Sequence, residues 1–117
     1  MPHRPKVLFV ANPRSRSGTS DLAAIRAAVE RHADIVDACM PGDDLATRGG
    51  DADRIVVAGG DGSVGCAAAR ALDLELPLGV VPAGTANDFA RANALPLDPI
   101  AAAELAAVRA DPAGRIA

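Results

Sequence analysis

The run Gly59-Gly60-Asp61-Gly62-Ser63 has the composition of a loop that holds phosphate. Glycine tolerates positive φ and lets an anion approach the backbone closely. The run follows the apolar stretch Arg54 to Ala58 and precedes a helical pattern, so it should lie where a strand ends and a helix begins. A helix start presents N–H groups without intrahelical partners and a partial positive charge, which suits phosphate. Ser63 adds a hydroxyl donor. A tight strand-to-helix turn capped by Ser63 would use the same residues without any ligand. Asp61 is the informative residue. A carboxylate among phosphate-binding amides repels the ligand unless a cation stands between them, which points to Mg²⁺ or to a polarised acceptor hydroxyl. An aspartate that only caps the helix is the plainer alternative.

The pattern recurs at Leu78-Gly79-Val80-Val81-Pro82, which leads through Ala83 and Gly84 into Thr85, Asn87 and Asp88. A third polar loop begins at Asn12-Pro13, after the apolar run Val7 to Ala11. If the three runs are parallel strands, their loops share one carboxyl edge, where open α/β sheets bind ligands. Taken singly, Thr85, Asn87 and Asp88 could be capping residues. Three polar loops on one edge make a ligand site.

Other chemistries fit less well. Gly60-x-Gly62-x-x-Gly65 matches the dinucleotide fingerprint, but the next strand ends in Val81-Pro82 without the acid that would hold a ribose. No GxxxxGK[S/T] motif and no nucleophile elbow is present. Cys39 and Cys66 form no CxxC pair and read as small reduced core residues, compatible with a reducing cytoplasm. His3 and His32 are solitary, and a solvated imidazole near a helix end is expected for His32.

Positioning these loops requires alternating strands and helices. Strands are expected at Lys6 to Ala11, Asp34 to Ala38, Arg54 to Ala58 and Leu78 to Val81. A helix from Ser20 to Arg31 would bury Leu22, Ile25 and Val29, and another would run from Ser63 to Leu72. Pro41 to Asp44 reads as a turn, Leu45 to Gly49 as a brief helix and Thr85 to Ala92 as another. Asp98-Pro99 opens a last helix to Arg109, with Ile100, Leu105 and Val108 inward. The fold class is therefore α/β, three layers with a mainly parallel sheet.

The 117 residues are enough for one core, not two. Aromatics make up only 2% and the net charge is −3 with no basic run, so nucleic acid is not an expected partner. The N-terminal apolar run is too short for a membrane span or a signal-peptide core, and a cytoplasmic protein without a transmembrane segment is expected.

Asn12-Pro13, Gly59 to Ser63, and Pro82-Ala83-Gly84-Thr85-Ala86-Asn87-Asp88-Phe89-Ala90-Arg91 resemble, in order, the motifs of the diacylglycerol kinase catalytic domain family. The likeness runs from about Lys6 to Ile116, and its Gly-Thr-x-Asn-Asp-Phe-Ala-Arg segment is the specific part. Gly-Gly-Asp-Gly alone is shared with NAD kinases and, more distantly, phosphofructokinases. The resemblance implies the nucleotide-binding domain of a lipid kinase that moves the γ-phosphate of ATP, with Mg²⁺, to a lipid hydroxyl such as that of diacylglycerol. It implies that Gly59, Gly60, Asp61, Gly62 and Ser63 line the ATP phosphates, with Asp61 catalytic through Mg-ATP. Gly84, Thr85, Asn87 and Asp88 would contact the nucleotide, and Asn12 would close its other side. Phosphoryl transfer is mostly positioning and charge stabilisation, which this inventory suits.

The departures are specific. Arg16 and Ser17 interrupt the usual Asn-Pro-x-Ser-Gly, and Ser63 replaces a usual Thr while keeping the hydroxyl. A Thr that often follows the second strand would fall near Cys39. Family members continue into a β-rich second domain that supplies the lipid pocket and acidic catalytic residues. This chain, expected to be one nucleotide-binding domain over 1–117, would lack it, and the alternative expectation is a nucleotide-binding module without transfer activity. The resemblance also allows peripheral membrane contact and a homodimer.

Overall fold

The computed structural model describes residues 4–11, 22–41, 43, 51–82, 91–92 and 98–108, with backbone alone at 61, 99 and 108. The four expected strands are present as β1 (Lys6–Ala11), β2 (Asp34–Cys39), β3 (Arg54–Gly59) and β4 (Leu78–Pro82). Three helices accompany them: α1 (Leu22–Glu30), α2 (Asp61–Leu74) and α3 (Pro99–Val108). The strands form one parallel sheet in the order β2-β1-β3-β4.

β3 is buried along its whole length, as a strand covered on both faces must be. Val7, Phe9, Val56, Ala58 and Val81 point to one face, against α1 and α3. Leu8, Val10, Ile55, Val57, Leu78 and Val80 point to the other, where Val64, Ala67 and Ala71 of α2 cover them. The chain steps one way from β1 to β2 and the other way from β3 to β4. Right-handed crossovers then require α1 and α2 on opposite faces, as observed.

Several expectations change in detail. Helix α2 starts at Asp61 rather than Ser63, and runs to Leu74. Its end is closed by Glu75 in the left-handed region (φ 55°, ψ 40°), an unusual residue for that conformation. In α1, Ile25 and Val29 are buried as expected and Leu22 is partly buried against them. Asp98 does cap α3, its Oδ2 accepting the Ala101 N–H at 2.9 Å. Leu105, however, is only half-buried, and α3 presents Ala102, Ala103, Ala106 and Ala107 to the core. The reason is proximity: a Cβ on Gly79 of β4 would lie 2.5 Å from that of Ala106. A larger side chain on either side would force the helix off the sheet.

Arginines close two helix ends from the amino edge of the sheet. Arg4 donates to Glu30 O at 2.7 Å and Ala33 O at 3.0 Å, and Arg54 donates to Ala107 O at 3.0 Å. His32 is not simply solvated, since its Nε2 comes within 3.4 Å of Glu104 Oε2 on α3. Of the cysteines, Cys39 is buried but Cys66 is exposed on α2, which corrects the reading of both as core residues. At the turn after β2, Asp43 Oδ2 accepts the Met40 N–H at 2.8 Å. The helix expected at Leu45 to Gly49 lies outside the described residues. So does the one expected from Thr85 to Ala92, apart from helical Arg91 and Ala92.

Candidate functional site

The carboxyl edge of the sheet is level where the expected loops leave it. Ala11 pairs with Ala58, and Gly59 pairs with Pro82, so β1, β3 and β4 end side by side. The order β2-β1-β3-β4 reverses direction between β1 and β3, and open α/β sheets bind ligands in the crevice at such a reversal. β1 ends at Ala11 on one side of that crevice, and the Gly60 turn leaves the other.

At the turn, Gly59 ends β3, Gly60 is the N-cap of α2, and Asp61, Gly62 and Ser63 are its first three helical residues. The first intrahelical bond runs from Val64 N to Gly60 O at 3.0 Å. The N–H groups of Asp61, Gly62 and Ser63 precede that bond, and among the described residues no side-chain cap bond is made at Gly60. The alternative of a turn capped by Ser63 is therefore not what the structure shows. Ser63 sits in the first turn, half-buried and packed back toward Gly59.

The described glycines of the turn do not use the positive φ that glycine tolerates. Gly60 is extended, with φ −86° and ψ −172°. Gly59 is required by close approach, because a Cβ there would lie 2.8 Å from Ser63 Cβ and 2.9 Å from its Oγ. A Cβ on Gly62 or Gly65 would meet nothing within 4 Å. In a dinucleotide fingerprint the third glycine permits close packing of helix on strand. Gly65 has no such contact, so Gly60-x-Gly62-x-x-Gly65 is a fingerprint in letters only. The open space over Gly62 stands beside the uncapped N–H groups. That arrangement of amides, partial positive charge and room can receive an anion.

Asp61 opens α2, in the first turn, where the helix dipole favours an acid. The Ser63 hydroxyl in that turn is an oxygen donor of the kind Mg²⁺ accepts, and the Asp61 side chain lies outside the described ones. Asn12, Gly84, Thr85, Asn87 and Asp88 lie outside the described residues.

Sequence reasoning missed a cleft at the carboxyl ends of β1 and β2. It has a volume of about 270 Å³ and is lined by Phe9 and Ala11 of β1, Leu22 and Arg26 of α1, and Ala38, Cys39 and Met40. Leu22 and Arg26, four residues apart on α1, share one face of the helix, and that spacing was the available signal. Among the described residues no helix is long and apolar enough to cross a membrane.

The sequence profile of the diacylglycerol kinase catalytic domain matches residues 6–113. A diacylglycerol kinase of Mycobacterium tuberculosis (strain ATCC 25618 / H37Rv) is 46% identical over 54 residues, covering 45% of this chain and 18% of that protein. A "Probable lipid kinase YegS-like" of Xanthomonas campestris pv. campestris (strain 8004) is 48% identical over 62 residues, covering 48% of this chain and 20% of that protein. The crystal structure of a diacylglycerol kinase from Bacillus anthracis str. Sterne superposes with a TM-score of 0.66 at 26% identity, covering 90% of this chain and 39% of that one. The chain thus spans about a fifth of the curated relatives it matches and about two fifths of that solved structure.

Proposed function

The chain belongs to the diacylglycerol kinase catalytic domain family, and from that premise we propose that it is the ATP-binding part of a lipid kinase. The reaction is transfer of the γ-phosphate of ATP to a lipid hydroxyl such as that of diacylglycerol. The observation that carries this reading is the uncapped start of α2, where Gly60 leads into Asp61, Gly62 and Ser63 beside the open space over Gly62.

The amides of Asp61, Gly62 and Ser63 hold the phosphates, and the Ser63 hydroxyl supplements them. Mg²⁺, when bound with ATP, neutralises phosphate charge, and Asp61 is the residue that receives it. Burial of β3 and the fit of Ser63 against Gly59 keep these groups in place before any ligand arrives. Asn12, Gly84, Thr85, Asn87 and Asp88 complete the nucleotide contacts from the neighbouring strand ends. The lipid acceptor is held by parts of the family domain other than these 117 residues, at a membrane surface in the cytoplasm.

A nucleotide-binding module without transfer activity is the alternative that the test must separate from it. The two separate in an assay of γ-phosphate transfer to diacylglycerol, by this chain and by this chain joined to the rest of a family catalytic domain. Transfer by the joined protein supports the kinase reading. Nucleotide binding without transfer in either form supports the module.

A further inference from the structure

The two halves of α2 are built from different residues. Gly62, Ser63, Val64, Gly65 and Cys66 are followed by Ala-Ala-Ala-Arg-Ala-Leu from Ala67 to Leu72. The second run consists of strong helix formers. Every residue of the first is a weaker one, and each glycine costs about fivefold in the helix–coil equilibrium relative to alanine. Packing gives no reason for the two glycines. Both are exposed, and among the described residues a Cβ on either would meet nothing within 4 Å. What they contribute is chain freedom, in the segment that carries the uncapped amides.

Few contacts oppose that freedom. Val64 is buried against the sheet, and Ser63 sits against Gly59, while Gly62, Gly65 and Cys66 are exposed. Among the described residues no side-chain cap bond is made at Gly60. Further along, Ala67 and Ala71 are buried in the same cluster and Ala68 packs against it. The contact of Ser63 with Gly59 thus closes the first turns in the arrangement described above, and the glycines narrow the free-energy gap to an open one. Segments with few buried contacts open locally in this way while the rest of the fold stays intact. Phosphate held by the amides of Asp61, Gly62 and Ser63 binds the closed form alone, and a ligand that binds one of two forms shifts the population toward it.

Resting on the nucleotide-binding reading above, we infer that the first turns of α2, residues 61–66, open as a unit while the rest of the helix stays folded. Bound Mg-ATP locks them closed.

Amide hydrogen exchange followed by NMR tests this, on the free chain and with Mg-ATP at a hundred times the Kd measured by calorimetry. In the free chain the amides of Val64, Gly65 and Cys66 should be about tenfold less protected than those of Ala71 and Leu72. Mg-ATP should slow the exchange of the three by about a hundredfold. Gly65→Ala, which fits without a clash, should slow it about fivefold in the free chain. Equal protection along the free helix overturns the inference, as do fast amides that bound Mg-ATP leaves unslowed. Exchange unmoved by Gly65→Ala overturns the role of the glycines. Flat calorimetry instead overturns the nucleotide-binding reading and the lock with it, while the free-chain comparison still decides the opening.

Discussion

Gly59 and Ser63 meet so closely at the end of β3 that a Cβ on the glycine would stand 2.8 Å from the Cβ of the serine. The missing methyl group lets α2 begin directly over the strand end, with its first amides at the sheet's carboxyl edge. Gly59→Val should push α2 away from that edge. The expected cost is about 1–3 kcal/mol of stability in urea unfolding, together with weaker Mg-ATP binding. A variant that binds Mg-ATP as well as wild type would remove the turn from the nucleotide site.

Asp61→Asn keeps the shape of the residue and removes its charge. In a complete kinase carrying this chain, lipid phosphorylation should fall by about a hundredfold or more. Loss of the acid from the first turn of α2 should cost no more than about 1 kcal/mol, so the melting temperature should move by only a few degrees. A variant that melts far below wild type would make Asp61 a structural residue.

The loop after β4 is tested through Gly84→Val. A branched side chain there should fill the loop and abolish nucleotide binding measured by calorimetry, since β4 ends beside Gly59 in the same edge of the sheet. Unchanged ATP affinity would take the loop out of the site.

Glu75 closes α2 with φ 55°, a conformation that glycine adopts without penalty. Glu75→Gly should therefore raise stability by about 0.5–1 kcal/mol, read from the urea midpoint, without changing nucleotide affinity. A lower midpoint would show that the glutamate makes a contact worth more than its backbone strain.

Much of this arrangement was legible in the letters because β-branched runs and glycine punctuation mark parallel strands unambiguously. The runs Val7 to Ala11 and Arg54 to Ala58 became neighbouring buried strands, and Asp98-Pro99 became a helix start. What stayed hidden depended on distances between elements. The periodicity of α3 favoured Leu105 as a core residue, yet the close approach at Gly79 leaves room there only for alanines. Composition placed Cys66 inside, whereas its position on the outer side of α2 exposes it. The letters show glycines that tolerate positive φ and admit an anion, and only the fold shows that Gly59 answers to the proximity of Ser63. The cleft beside α1 needed residues from three separate elements and had no motif.

The account turns on phosphate reaching the uncapped amides at the start of α2. Amide NMR spectra of the ¹⁵N-labelled chain, recorded through a titration with Mg-ATP, observe those groups directly. The N–H signals of Asp61, Gly62 and Ser63 should show the largest shifts, saturating together, with smaller changes along Ala11 and Pro82's neighbours at the same edge. Saturable shifts elsewhere with these three amides unmoved would contradict the phosphate site at Gly59 to Ser63.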